Sequence, residues 1–414
     1  MLQAMIQKSI PEVESMLLQL STINSVTPPS DTRAIVERVK TWLEPLNNVQ
    51  LQILSEVEST PNIVARVKGH AEGKRLLLNG HLDTFEIVSP LEWTHDPLGG
   101  EVVNRRLFGV GVSDMKAGCA SLLGTFIFMA RHPELWAGEL VLTLVGWEEA
   151  GGKHGTDFLL RELDDLKQVD ACLIADVGSS RVIRFAEKGR YRFKLYARGI
   201  PGHGAHMHKT KNAIDMLIGA IVDYKKAVSA IEPNCSSEVL KAIKDASAVS
   251  ESVSGQGETD VLLSITNNIG VFRAGSAPNL VPGYAEVIMD TRLPVGVTPE
   301  NIQDVLEKLC ACHEGIHYET LMTCESLYSD PGHEFLGLLK KNAQAVFGLP
   351  CAATVRVGGT DAKHIRRFNV NAYSCGVEGG NMGAPDEYVD LDEVDQVFKI
   401  HLQSVLDYLA PANS

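Results

Sequence analysis

Two adjacent carboxylates, Glu148 and Glu149, follow an apolar run at residues 140–145 in the stretch LVLTLVGWEEAGG. Neighbouring side chains on extended backbone point in opposite directions, so the two acids face different surroundings. Two carboxylates this close repel each other unless each has its own cation or proton to serve. The pair therefore indicates a site that handles cations or protons.

Further acids and one histidine end the neighbouring predicted strands. One strand runs into His81 and Asp83, another runs into Asp176, and Asp114 stands just before a predicted helix. In open α/β sheets, ligands bind at the carboxyl ends of the strands. One imidazole and several carboxylates in one place predict a divalent metal site, with zinc, manganese or cobalt as candidates. We count Asp83 among the catalytic residues because it could orient the His81 imidazole.

Each of these residues alone has a simpler interpretation. A histidine after a strand is usually structural, an aspartate before a helix is usually an N-cap, and a glutamate pair in a turn is usually solvated. Their occurrence together on successive strand ends favours the metal site. The chain has no Walker loop, no H-E-x-x-H and no G-x-S-x-G motif. These absences leave the acids and His81 as the best candidates for chemistry.

Strand and helix patterns alternate through the first half of the chain, as they do in an α/β sheet with helices on its faces. Predicted strands lie at residues 62–67, 74–79, 139–145 and 171–175, and predicted helices at 116–131 and 156–166. The character changes near residue 187, and later strands lie near 262–268 and 285–292. The α/β pattern resumes at Thr298, an N-cap followed by proline. We therefore predict a small α+β domain at 188–297, inserted into a mixed-sheet α/β catalytic domain at 1–187 and 298–414.

Composition excludes several classes of partner. With 414 residues, two domains are expected, and 44% hydrophobic with 22% charged residues is ordinary for a soluble protein. A net charge of -14 argues against nucleic acid and against an anionic membrane as partners. No apolar run is long enough to span a bilayer, and the acid-bearing N-terminus is unlike a signal peptide. We expect a cytoplasmic protein whose eight scattered cysteines are reduced thiols.

Seven motifs, in this order and spacing, carry a resemblance to a known family. They are NGHLDT, GVSDMKAG, EEAGG, GIPGHGAH, APNLVPGYAEVIMDTRLP, GGTDA and APDEYV. The chain resembles the dinuclear metallo-amidases, the family of aminoacylase, carboxypeptidase G, succinyl-diaminopimelate desuccinylase and acetylornithine deacetylase. The resemblance covers nearly the whole chain. It implies that the inserted domain is a lid through which the chain forms a homodimer.

The resemblance assigns roles to the acids and to His81. It implies that His81 and Asp176 bind one metal ion, that Asp114 bridges two ions and that Glu149 binds the second. Glu148 would be the general base, taking a proton from water and passing it to the leaving amine. One acid of the opening pair would then serve a metal and the other a proton.

Lid residues complete the implied site. His203 would stabilise the oxyanion, often from the partner subunit, and Asn279 and Arg292 would hold an oxygen or the carboxylate of a small substrate. We interpret His206 and His208 as part of a surface turn. Arg356 is open between a structural role and a substrate contact.

One position departs from the family pattern. The family closes its second metal site with a histidine in H-x-P-D-E, where this chain has Gly383 in GAPDE. Glycine cannot bind a metal through a side chain, which weakens that site. The centre could hold a single ion, or Asn381, His364 or His154 could replace the missing ligand. One or two ions per chain are therefore both open.

Three functions follow from these observations. The first is metal-dependent hydrolysis of an amide C–N bond in a small substrate that carries a carboxylate. The second is hydrolytic deamination of an aromatic amine, because the resemblance extends to 5-nitroanthranilate aminohydrolase and a nitro group would reduce the need for a second metal. The third is a non-catalytic relic of the fold. The retained Glu148, Glu149, Asp114 and His203 favour an active enzyme.

Overall fold

The structure is a computed structural model that describes residues 2–411 of the chain. Its helices are α1 (Leu2–Ser21), α2 (Arg33–Leu43), α3 (Ala117–Arg131), α4 (Thr156–Glu162), α5 (Ala213–Ser229), α6 (Ser237–Ser254), α7 (Glu258–Leu263), α8 (Pro299–Cys312), α9 (Glu334–Phe347), α10 (Ala362–Arg366) and α11 (Leu391–Tyr408). Its strands are β1 (Gln50–Leu54), β2 (Asn62–Lys68), β3 (Arg75–His81), β4 (Val102–Val103), β5 (Arg106–Phe108), β6 (Glu139–Val145), β7 (Ala171–Ile174), β8 (Val182–Glu187), β9 (Gly189–Arg198), β10 (Gly202–His203), β11 (Thr266–Ala274), β12 (Leu280–Val281), β13 (Tyr284–Leu293), β14 (Ile316–Cys324), β15 (Ala352–Arg356), β16 (Ala372–Ser374) and β17 (Tyr388–Asp390).

Eight strands form one mixed sheet in the spatial order β1-β2-β6-β3-β7-β16-β8-β15. Strand β3 lies between β6 and β7 and runs parallel to both, with His81 beside Val145 and Asn79 beside Ile174. The carboxyl ends of these three strands therefore meet at one edge of the sheet. The residues that follow β3, β6 and β7 are brought together at that edge.

Helices cover both faces of this sheet, as the sequence predicts. Leu76 and Leu78 belong to a core packed by residues of α1, α3, α9 and α11. Leu77, which points the other way, belongs to a second core with residues of α4 and α10. Alternate side chains of a strand point to opposite faces, and a strand that is apolar throughout is therefore buried on both sides. Among residues 2–411, no helix combines the length and apolar composition needed to cross a membrane.

A second, antiparallel sheet of four strands has the order β11-β13-β9-β14. Buried and partly exposed side chains alternate along β9, and its buried residues Tyr191, Phe193 and Leu195 pack with residues of α5 and α8. The sheet has helices on one face and solvent on the other, which produces this alternation. We keep the word lid for this sheet with α5 and α8.

The predicted domain boundary at Thr298 is wrong. The expected helix does begin there, with a capping box between Thr298 and Asn301, but Ile302 and Leu306 of α8 pack in the core of the lid. Strand β14 then pairs with β9 in the lid sheet. The N-cap signal identifies where a helix begins and carries no information about which sheet the helix covers.

The segment between α5 and β11 also differs from the prediction. Val239 and Ile243 of α6 and Leu262 of α7 belong to the core of the large sheet, although they lie within the predicted insert. The predicted strand near 262–268 is split, because α7 ends at Leu263 and β11 begins at Thr266. The segment between α5 and β11 therefore packs against the large sheet, and the chain returns to the lid sheet at β11.

Candidate active site

His81, Asp114 and Glu149 form a group of metal-binding side-chain types at the carboxyl edge of the large sheet. Their ligand atoms all lie within 4.8 Å of one another. His81 ends β3, Glu149 follows β6, and the His81 Nε2 lies 3.1 Å from Oδ1 of Asp114. His81 and Asp114 are buried and Glu149 is partly buried. We call these three residues the metal group.

Asp176, the fourth predicted ligand, lies next to the metal group. Its Oδ2 is 4.0 Å from the His81 Nε2. Its Oδ1 accepts a hydrogen bond of 2.8 Å from Nη1 of Arg356, which also donates to the carbonyl oxygen of Val177 at 2.5 Å. Arg356, which the sequence left open, is therefore a direct partner of a predicted metal ligand.

Asp83 supports the turn that carries the two adjacent glutamates. Its carboxylate accepts the backbone N–H of Glu148 at 3.1 Å and that of Glu149 at 3.0 Å. The His81 Nδ1 lies 2.9 Å from the backbone carbonyl oxygen of Asp83 and 3.6 Å from its carboxylate. The imidazole is thus oriented mainly by a carbonyl, and the carboxylate fixes the glutamate turn.

Glu387 holds the loop that presents Asp114. Its Oε1 accepts from the backbone N–H of Ser113 at 3.0 Å and from the Ser113 hydroxyl at 2.6 Å, and its Oε2 accepts from the Gly111 N–H at 3.0 Å. Gly111 has φ +69°, and a Cβ there would lie 2.0 Å from a methyl carbon of Thr84. Sequence reasoning did not assign Glu387 a role, although it lies in the APDEYV motif.

The buried carboxylates at this edge of the sheet would be stabilised by a cation. Burial and the neighbouring carboxylates raise the pKa of Glu149 and of Asp176, and burial raises the pKa of Asp83 to about 6. The Oε1 atom of Glu149 is buried without a hydrogen-bond partner. Several acids that repel one another, one orphaned oxygen and one imidazole are a donor set that fits a divalent metal ion.

The side chain of Glu148 extends from the same turn and contacts a different partner. Its Oε1 lies 3.7 Å from Nζ of Lys363, which is on α10. Both side chains are largely buried, with 11% of Glu148 and 18% of Lys363 exposed. Sequence reasoning did not single out Lys363, which stands two residues after Asp361 of the GGTDA motif.

A cavity of about 570 Å³ opens beside this edge of the sheet. It is lined by Val177 and Arg356, by residues 254–258 between α6 and α7, and by residues 378–382. Val177 directly follows Asp176 in the chain, and Arg356 donates to Asp176, so the cavity wall is connected to one predicted ligand. Among the described residues, the predicted metal ligands themselves do not line the cavity. Its volume is in the range of small-molecule sites.

Comparison with known proteins identifies the family. A family model described as peptidase family M20/M25/M40 matches residues 77–407. The chain belongs to this family. The resemblance carried by the seven motifs is thereby confirmed.

Relatives of this M20/M25/M40 member include succinyl-diaminopimelate desuccinylases. That of Paracoccus denitrificans is 25% identical over 364 residues, covering 85% of this chain and 88% of that protein. That of Wolinella succinogenes is 24% identical over 404 residues, covering 95% and 99%. Family and relatives show a metal-dependent hydrolase that acts on amide C–N bonds.

Solved structures share the fold. The M20 family metallo-carboxypeptidase Sso-CP2 of Sulfolobus solfataricus superposes with a TM-score of 0.75 at 17% identity, covering 96% of this chain and 99% of that chain. The YxeP protein of Bacillus subtilis, a dinuclear metal-binding peptidase of the M20 family, gives a TM-score of 0.66 at 16% identity, covering 97% and 99%. The predicted mixed α/β fold is confirmed by this likeness.

Gly383 is the position at which this family member departs from the motif with a histidine. Its φ is +69°, a conformation that favours glycine. Among the described residues, a Cβ built there would come within 4 Å of the Phe85 ring alone, at 3.8 Å. Packing alone therefore leaves room for a side chain. The backbone conformation is what would strain one.

The three proposed replacements for that histidine all have other partners. Asn381 donates its amide N–H groups to backbone carbonyls within its own loop. The His154 Nδ1 lies 2.6 Å from Oε2 of Glu56, and the His364 Nε2 lies 3.2 Å from the carbonyl oxygen of Gly151. Within residues 2–411, none of the three belongs to the metal group.

Within residues 2–411, the residues that the resemblance assigns to the lid, His203, Asn279 and Arg292, make no hydrogen bond to the metal group. His203 is exposed and accepts the Ala205 N–H at 3.2 Å through its Nδ1. Asn279 lies on the neighbouring turn, where its carbonyl accepts the Gly204 N–H. His206 and His208 are exposed, as expected for a surface turn.

Arg292, on β13 of the lid, contacts the residue that follows β15 of the large sheet. Its Nε donates to Oδ1 of Asp290 at 2.9 Å, and its Nη1 lies 3.5 Å from the carbonyl oxygen of Val357. Val357 directly follows Arg356 and lines the cavity. A carboxylate in the cavity would therefore lie near two guanidinium groups.

Proposed function

We propose that this chain hydrolyses the amide bond of a small N-acylated amino acid or peptide that carries a free carboxylate, with Glu148 as the general base. The observation that carries the proposal is the separation of the two adjacent glutamates. Glu149 belongs to the metal group, whereas Glu148 lies beside it and is paired with a lysine. A carboxylate next to a metal site but outside it is free to move a proton.

His81, Asp114, Glu149 and Asp176 would hold the metal, for which zinc, manganese and cobalt are the candidates. A divalent cation bound there would polarise the substrate carbonyl and acidify water. Glu148 then takes a proton from the attacking water and delivers it to the leaving nitrogen, which leaves as an amine. Asp83 keeps Glu148 in place through the backbone of the turn.

The lid and the neighbouring β10–β12 sheet supply the remaining binding groups in this proposal. Arg292 binds the substrate carboxylate, because a guanidinium matches the geometry of a carboxylate. His203 and Asn279 stabilise the oxyanion. His203 lies on β10, and Asn279 directly precedes β12, which pairs with β10. Both residues are exposed, which supports their acting on the site of the partner subunit in a homodimer.

A second candidate function is favoured by Gly383. If the centre holds one ion, carbonyl polarisation by a second ion is lost, and an aromatic amine with its own electron-withdrawing group would need that help less. Water would then attack the ring carbon that bears the amine, and ammonia would leave. The two candidates differ in their product, which makes them separable.

The deciding experiment combines metal content with a substrate panel. Chelated protein is reconstituted with zinc, manganese or cobalt, and ions per chain are counted by elemental mass spectrometry. N-succinyl and N-acetyl amino acids, dipeptides and 5-nitroanthranilate are then assayed. We expect metal-dependent release of a free amino acid from at least one amide. Ammonia from 5-nitroanthranilate with every amide untouched would replace this proposal with the second candidate.

A further inference from the structure

The two adjacent glutamates start from one rigid turn and end in different surroundings. Both backbone N–H groups donate to the carboxylate of Asp83. From this shared anchor, Glu149 reaches the metal group, where its Oε1 is buried without a partner. Glu148 reaches Lys363 instead. The two residues therefore share one backbone anchor and differ in the partner that each side chain meets.

Lys363 is the cation that Glu148 faces. Among residues 2–411, Glu148 is the one acid within 4.0 Å of the Lys363 ammonium. Burial by itself would lower the pKa of Lys363, but the carboxylates of Glu148 and Asp361 raise it above the ordinary value. Lys363 is therefore charged when the protein is folded. It lies on α10, whose residues Ala362 and Ile365 pack in the core.

A carboxylate close to a divalent cation is attracted to it, and a second positive charge competes for the same carboxylate. Glu148 without Lys363 would be a largely buried acid whose nearest positive charge is the metal ion. A carboxylate that binds the metal is a weaker base, because the cation stabilises its charged form. The ion pair with Lys363 removes this alternative by giving Glu148 its own cation.

We propose that Lys363 is a positioning residue that holds Glu148 outside the metal group and thereby decides which of the two glutamates serves as the base. The inference rests on the proposed function, in which Glu148 moves the proton. It assigns Lys363 no contact with the substrate.

The first test is a metal-binding measurement that needs no turnover. Lys363→Met keeps the length of the side chain and removes its charge. With Glu148 free to join the metal group, we expect zinc affinity measured by calorimetry to increase about tenfold. In the double variant Glu148→Gln with Lys363→Met this increase should vanish. If it persists there, loss of a positive charge alone explains it and the inference is wrong.

The second test is a kinetic cycle at saturating metal. We expect Lys363→Met to lower kcat about 10–100-fold with KM changed less than about twofold, and Lys363→Arg to keep most of the activity. In the Glu148→Gln background, Lys363→Met should cause no further loss. Equal losses in both backgrounds would show that Lys363 acts independently of Glu148.

Controls separate the possible failures. Arg367→Met removes a positive charge from the end of the same helix without touching Glu148, and it should leave both measurements unchanged. If Lys363→Met does not fold, full activity of Lys363→Gln would overturn the inference, and a loss restored by Lys363→Arg would support it. If Glu148→Gln alone has normal turnover, the proposed function fails rather than the role of Lys363.

Discussion

Arg356 donates a hydrogen bond of 2.8 Å from Nη1 to Oδ1 of Asp176. The other carboxylate oxygen of Asp176 is the one that lies 4.0 Å from the His81 Nε2. One carboxylate oxygen of Asp176 is thus hydrogen-bonded to a guanidinium, and the second oxygen faces the metal group. Groups that orient a ligand in this way contribute to metal affinity without touching the ion.

We therefore predict that Arg356→Met weakens metal binding about 10–100-fold. Arg356→Lys should recover only part of the loss, because lysine lacks the planar fork that fits a carboxylate. Competition between the protein and a chromogenic chelator measures the affinity. An unchanged affinity would mean that Asp176 is not a metal ligand or does not need this orientation.

Asp83 should matter for both stability and turnover. In Asp83→Asn, one side-chain oxygen remains to accept from one of the two backbone N–H groups. The side-chain NH2 group then faces the second backbone N–H, which has no acceptor. We expect a loss of about 1–3 kcal/mol in the free energy of unfolding, because a buried donor loses its acceptor. A lower kcat should accompany it, since Glu148 shifts with the turn. Denaturant unfolding and steady-state kinetics measure the two effects, and no change in either would refute this role.

The role of His203 is testable by subunit exchange. His203→Ala and Glu148→Gln are each expected to be nearly inactive. If His203 acts on the partner's site, a mixture of the two variants should regain up to about a quarter of wild-type activity in hybrid dimers, which have one intact site. A mixture as inactive as its components, with hybrids shown by native mass spectrometry, would place His203 in its own subunit or outside catalysis.

A buried histidine makes stability depend on pH. His401 is packed between the Ser121 hydroxyl and the carbonyl oxygen of Cys375, each at 2.8 Å. Burial lowers the pKa of His401 from its ordinary 6.5 to about 4. Between these values the unfolded chain binds the extra proton, so stability falls as pH drops below 6.5.

His401 should therefore cost about 2 kcal/mol of folding free energy between pH 6.5 and pH 5. In His401→Gln this dependence is removed, so the stability advantage of the wild type should shrink as pH falls. Urea unfolding of both proteins at several pH values measures the difference. A difference that does not vary with pH would show that His401 is not held neutral.

Much of the fold could be predicted from local patterns. The strand predicted at 139–145 coincides with β6, because an apolar run of that length bounded by turn residues has few other interpretations. The assignment of α8 and β14 to the lid could not be predicted. Both follow good local signals, but which sheet they join depends on packing with α5 and pairing with β9.

The candidate site divides in a similar way. His81 ends β3 and Glu149 follows β6, and these two strands are neighbours, so the rule for sheet edges was enough to bring the residues together. Glu387 is far in the chain from the loop of Asp114, and Lys363 is far from Glu148, so these contacts form only through tertiary packing. A single sequence offers no local pattern that predicts such long-range contacts.

The most direct test of the account is the turnover of Glu148→Gln at saturating metal, on the amide that the wild type cleaves best. Glutamine keeps the shape of the side chain and cannot accept the proton. The account predicts a kcat lower by about 10²–10⁴-fold, with metal content per chain unchanged. Turnover equal to that of the wild type, with the same metal content, would contradict it.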